Sequence, residues 1–153
     1  MLTLKYNYLI LLESLWYLRK WDRIIGGKAF EQWQEYLDAS SKNAYATNLS
    51  SAQMQKLRKH IDAIVRKYPK ELNCMRRCLA LKSMIERRGG HCTLHIGVKF
   101  TGTEAKASKT LAAHAWLSAQ GTLINDTPSQ ISQYQEITHN NALFGKNVSK
   151  SNT

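Results

Sequence analysis

The sequence predicts an α+β domain in which N-terminal helices are followed by a small antiparallel sheet. Three observations carry this. Up to Gly89-Gly90 the apolar residues recur at the three-four spacing of helices. Beyond that point CTLHIGVKF (92–100) and LAAHAWLS (111–118) alternate as strands do. A three-residue link, Ala119-Gln120-Gly121, then joins the second run to TLIND (122–126) as a hairpin turn would. A chain of 153 residues fits one domain. A hydrophobic share of 43% with only 2 prolines excludes disordered and collagen-like classes.

The elements follow in order. A first helix is expected over residues 2–20, with Leu9, Leu12 and Trp16 on one side and Leu11, Leu15 and Leu18 beside them. That broad apolar face predicts docking on the chain's own core, and Gly26-Gly27 should break the helix. Phe30, Trp33 and Leu37 stripe a short second helix, and residues 43–48 read as a polar loop. Ser50 or Ser51 can cap a third helix carrying Met54, Leu57, Ile61, Ile64 and Tyr68, closed by Pro69. Asn73 is a good cap for the next helix, where Cys74, Cys78, Leu81 and Ile85 share one face. Arg87 and Arg88 suit its C-terminus, and Gly89 suits the left-handed position that follows. Residues 101–109 read as a loop longer than a hairpin needs. Pro128 ends the third strand, and 130–137 fit strand or helix equally. The division expected is a helical segment over 1–69 packed on a core over 70–139, with a disordered tail over 140–153.

Charge is concentrated early. Residues 1–90 hold 17 of the 22 basic and 8 of the 11 acidic side chains, a net of +9, against +2 for the remainder. Such a field draws in acidic partners. Lys5, Glu13 and Arg19 interrupt the apolar N-terminus well short of the ~20 residues a membrane span needs. No small-residue cleavage site follows it. Three cysteines are too few for a secreted disulfide scaffold, so a reducing cytoplasm and free thiols are expected.

The chemistry concentrates on three residues. Cys74 falls in the first turn of its helix, where free N–H groups and the helix dipole stabilise a thiolate. His114 and Asp126 flank the hairpin turn symmetrically about Gln120, so they lie opposite or one position off. An Asp beside a His fixes its tautomer and stabilises the imidazolium. Cys78 reads as a buried structural thiol, and Trp116, on the face of His114, reads as a core side chain in preference to a cleft wall.

The run NCMRRCLALKSMIERRGGHCTLHIGVKF, then AAHAWLSAQGTLINDTP, resembles the transglutaminase-like maturation proteases of lasso-peptide biosynthesis over about residues 70–137. The specific pieces are the Cys that opens the helix, I-G-V, H-A-W and I-N-D. The resemblance implies a papain/transglutaminase-like cysteine protease core, with Cys74 as nucleophile, His114 as general base and Asp126 as its orienting carboxylate. It implies removal of the leader from a ribosomally made precursor peptide. A separate ATP-dependent, asparagine-synthetase-like lasso cyclase then closes the core. Residues 1–60 read as helices with no strand run. The chain therefore resembles the split form, which depends on a separate precursor-recognition protein. No cofactor is implied, and no Gly-rich phosphate loop is present.

Other readings compete with this one. Cys74-x3-Cys78 with Cys92-x2-His95 is a possible zinc set, but Cys92 and His95 should point to opposite faces of a strand. The +9 field, with Trp16 and Trp21 near Arg19, Lys20 and Arg23, could serve a nucleic acid, yet no recognised motif accompanies it and no nucleic-acid partner is expected. Membrane-surface contact by the first helix is the lesser reading beside docking on its own domain. Acyl transfer onto an amine, as in transglutaminases, shares the same thioester and differs only in acceptor.

Overall fold

A computed structural model describes residues 2–27, 49–68, 72–101 and 110–137, without the side chains of residues 2–6. The expected second helix (Phe30, Trp33, Leu37), the 43–48 loop, Pro69, nearly all of the 101–109 loop and the tail from Asn140 lie outside these residues. The described elements are α1 (Leu2–Gly27), α2 (Ser51–Val65), α3 (Cys74–Glu86), β1 (Thr93–Thr101), β2 (Thr110–Ala119), β3 (Thr122–Leu123), α4 (Pro128–Ile131) and β4 (Gln135–Glu136). Helices thus precede a small antiparallel sheet, as the residue patterning predicts. Among the described residues no helix is long and apolar enough to cross a membrane.

Helix α1 runs past residue 20 to the Gly26-Gly27 pair. It docks on the core through a face rotated from the expected one, keeping Leu18 but not Leu9, Leu12 or Trp16. Ile10, Ser14, Tyr17, Leu18 and Trp21 are buried, whereas Leu9, Leu12 and Trp16 are exposed. Three polar residues of α1 lie on the docked side and find partners on α3 or in the turn that follows it. Glu13 pairs with Arg88 at 2.5 Å, and Asp22 pairs with Arg76 at 2.7 Å. The Trp21 indole N–H donates to Ser83 Oγ at 2.9 Å. Ser14, fully buried, gives its hydroxyl proton to the Ile10 carbonyl, so its polarity is satisfied within its own helix.

Helix α2 starts at a capping box. Ser50 Oγ accepts from the Gln53 N–H, and Gln53 Oε1 accepts from the Ser50 N–H. Its Met54, Leu57 and Ile61 enter the core. Asn73 caps α3 by accepting from the Arg76 N–H at 3.1 Å. Gly89 closes that end at φ 73°, the left-handed position that glycine adopts without strain. Between the caps Cys78, Leu79, Ala80, Leu81, Met84 and Ile85 are buried.

The sheet order is β3-β2-β1-β4, antiparallel throughout. The β2–β3 turn takes positive φ at both Gln120 (51°) and Gly121 (73°), the combination whose twist matches that of the flanking strands. The expected third strand over 122–126 is shorter than predicted: ladder pairing covers only Thr122 and Leu123, with one further bond from the Ile124 N–H to the Leu117 carbonyl. Asn125 then replaces backbone pairing with its side chain and turns the chain away. Residues 130–137 contain both candidate structures, the end of α4 and then β4.

Candidate active site at the open edge of β2

Among the described residues the short β3 leaves part of the β2 edge without a neighbouring strand, and side chains complete it. Ile96 sends its carbonyl away from β2, to the Ile137 N–H. Its partner across the ladder, Ala115, must then aim its own polar groups at the open edge. There the Cys78 thiol donates to the Ala115 carbonyl at 3.2 Å. Asn125 Oδ1 accepts from the Leu117 N–H at 2.7 Å, and Asn125 Nδ2 donates to Cys78 Sγ at 3.2 Å. Cys78 and Asn125 therefore bolt α3 and the 125–127 bend onto the strand that carries His114.

This joint locates the predicted residues. Cys74 opens α3, half-buried, one turn N-terminal to Cys78 on the same face, about 6 Å along the axis. His114 lies on β2 beyond the two-residue β3 ladder, and its Nε2 hydrogen-bonds Asp126 Oδ2 from the bend after β3. The other carboxylate oxygen, Oδ1, accepts from the Thr127 N–H at 2.9 Å. The Asp126 side chain is 5% exposed and that of His114 22%. An ionised carboxylate only accepts, so Nε2 carries the proton of the neutral ring and Nδ1 is its acceptor. No hydrogen bond joins Cys74 to His114 here; such bonds tighten when substrate occupies a site.

Cys78 is the structural thiol predicted. Burial pushes its pKa far up; the bond from Asn125 opposes this, and the neighbouring Cys74 and Asp126 add to it. Both Cys74 and Asp126 are thus electrostatic neighbours of the joint. Cys92 lies apart from it, buried, with its pKa pushed up to about 12 by desolvation while Lys82 acts in the opposite direction. Among the described residues no group of three or more His, Cys, Asp or Glu side chains is arranged to hold a metal.

Trp116 is buried, as a core side chain would be, but not in the core shared with the helices. Ala115 and Leu117 face that core. Trp116 lies on the opposite face, its ring stacked on His95 (5.6 Å between centroids) and on His114 (6.0 Å). Residue patterning did not single out Asn125, Tyr134 or the His95–Glu136 pair. The I-N-D motif contains Asn125, but nothing in the spacing shows that its side chain substitutes for a strand.

The family model described as the transglutaminase-like superfamily matches residues 25–139. Neither the curated proteins nor the solved structures give a significant match.

Proposed function

The chain belongs to the transglutaminase-like superfamily, and on that footing we propose that it is a cysteine peptidase that removes the leader from a lasso-peptide precursor. The superfamily domain fits a cysteine peptidase or an acyltransferase. The observation that supports a working site is the His114–Asp126 pair, held at the β2 edge beside the helix that Cys74 opens.

In this reading Asp126 holds the imidazole with its proton on Nε2, so Nδ1 accepts the proton of the Cys74 thiol. Cys74 sits at a helix N-terminus with the Asn73 cap beside it, and the unpaired N–H groups there favour the thiolate. The thiolate attacks the scissile carbonyl at the leader–core junction. The C–N bond breaks, His114 protonates the departing amine of the core, and the leader remains as a thioester on Cys74. Water, deprotonated by His114, releases the leader. The Cys74 backbone N–H is the nearest oxyanion donor. The freed core amine goes to a separate cyclase, and a separate recognition protein delivers the precursor. The basic N-terminal half supplies attraction for that acidic partner or leader.

The test is cleavage of the precursor peptide, with its recognition protein present, followed by mass spectrometry for wild type and Cys74→Ala. Release of leader and core at one junction by wild type alone supports the reading. Transfer of the leader to an added amine in place of water assigns the acyltransferase reaction. Equal inertness of both proteins, with precursor and recognition protein bound to one another, refutes the peptidase.

A further inference from the structure

Asp126 does not act on His114 alone. The chain that supplies it continues through Thr127, α4 and Tyr134 into β4, which lies on the far side of the sheet in the order β3-β2-β1-β4. Residues 127–134 must therefore cross from one edge of the sheet to the other. They cross the face that carries His114: the Tyr134 ring packs against the imidazole with centroids 5.1 Å apart and planes inclined at 31°.

Three features hold Tyr134 there. The first is Gly97, directly opposite His114 in the β1–β2 ladder. A Cβ at Gly97 would lie 2.8 Å from the Tyr134 Cβ and 2.9 Å from two Trp116 ring carbons, closer than real Cβ atoms approach. The missing side chain is the space in which Tyr134 and Trp116 meet His114. The second is the clamp on β4, next to Tyr134 in sequence. Glu136 pairs through its backbone with Gly97. Its carboxylate receives His95 Nδ1 at 2.6 Å, while His95 Nε2 reaches Ser118 Oγ at 2.7 Å. The third is Lys99, whose ammonium lies 4.5 Å from the Tyr134 ring centroid and also donates to Gln133 at 2.9 Å.

We infer that Tyr134 is a positioning residue for His114: the strap over 127–134 holds the imidazole edge with Asp126 and its ring plane with Tyr134, and Gly97 supplies the room. A single hydrogen bond holds an imidazole only part of the time, because rotation about χ1 breaks it and frees the tautomer. Two packed rings, Trp116 and Tyr134, remove that freedom and keep Nδ1 aimed for proton transfer. Pre-orientation of this kind is what a positioned base needs. The inference rests on the proposed role of His114 but goes beyond it, because it assigns a function to the strap, to Gly97 and to the His95–Glu136 clamp.

The groups facing His114 are Asp126 from the bend, Tyr134 from the strap and Trp116 from its own strand. Lys99, His95 and Glu136 form the next layer. The experiment reads His114 itself, by long-range 1H–15N NMR of the imidazoles in the full chain. In wild type the neutral ring should show one fixed tautomer, protonated at Nε2. Tyr134→Phe keeps the ring and should retain it. Tyr134→Ala and Tyr134→Leu should show an averaged tautomer, and under the proposed mechanism cleavage should fall about tenfold or more in kcat with KM little changed. Tyr134→Leu preserves bulk, so it answers the question even where the alanine variant does not fold. A wild-type tautomer signal in folded Tyr134→Leu overturns the inference, and so does equal loss in Tyr134→Phe. The NMR signal needs neither Cys74 nor a substrate. Failure of the peptidase reading would therefore appear in the cleavage assay while the tautomer result stood.

Discussion

Replacing Asn125 by alanine probes the joint on which the site depends. Its Oδ1 accepts from the Leu117 N–H at 2.7 Å, and Leu117 is fully buried. Without that oxygen a backbone N–H is left unpaired in the core, which costs about 1–3 kcal/mol. The second bond, from Nδ2 to the Cys78 sulfur at 3.2 Å, is to a weak acceptor and adds at most about 1 kcal/mol. A total loss of about 1–4 kcal/mol is expected, which for a chain of this size lowers Tm by about 2–16 °C. Calorimetry or circular-dichroism melting reads it. Cleavage should fall as well, since Asp126 is the next residue and shares the bend. A Tm within 1 °C of wild type would show that the β2 edge does not need Asn125, and the account of how α3, β2 and the bend are joined would be wrong.

Other predictions follow from particular burials. Leu18→Ala should cost about 2–5 kcal/mol, whereas Leu9→Ala on the exposed face of α1 should stay within about 0.5 kcal/mol; comparable losses in denaturant melts would reverse the assigned rotation of α1. In the folded protein a thiol reagent should modify Cys74 first, with Cys78 and Cys92 protected until unfolding, and peptide mapping identifies the adduct. Stability should fall as pH rises above about 9. The Cys92 pKa goes from the ordinary 9.0 up to about 12 in the folded state, and that of Cys78 is raised too. The folded state therefore keeps protons that the unfolded state releases. The contribution is fully present below the unfolded pKa and is lost as pH climbs through the folded one, at about 1.4 kcal/mol per pH unit for each thiol. Cys92→Ala should make the alkaline slope measurably shallower, and an unchanged slope would count against the buried thiol as its source.

Local signals were legible where one residue decides one geometry. Asn73 as a cap and Gly89 at the left-handed position follow from side-chain chemistry alone; the turn expected over Ala119-Gln120-Gly121 narrows to Gln120-Gly121, because Ala119 still belongs to β2. That His114 and Asp126 lie within reach of one another across the hairpin followed from turn symmetry, and their contact is observed. Of the expected α1 face Leu18 is buried, but Leu9, Leu12 and Trp16 point outward. Glu13 and Asp22 have arginine partners in the turn after α3 and on α3, a constraint that an apolar count does not contain. The third strand was overextended because an Asn side chain can take a ladder bond without any trace in the hydrophobic pattern. The strap was illegible for a related reason. The contact between Tyr134 and His114 needs the empty position at Gly97, and nothing in the sequence spacing connects residues 97, 114 and 134.

The most direct test of the central claim, that His114 serves Cys74, is the rate of Cys74 alkylation by iodoacetamide at neutral pH in wild type, His114→Ala and Asp126→Ala. It requires no substrate and no partner. The account predicts a fall of about tenfold or more without His114, and a smaller fall without Asp126, with the fold intact by circular dichroism. Alkylation at the wild-type rate in a folded His114→Ala protein would contradict it, because Cys74 would then be reacting as a thiol on its own.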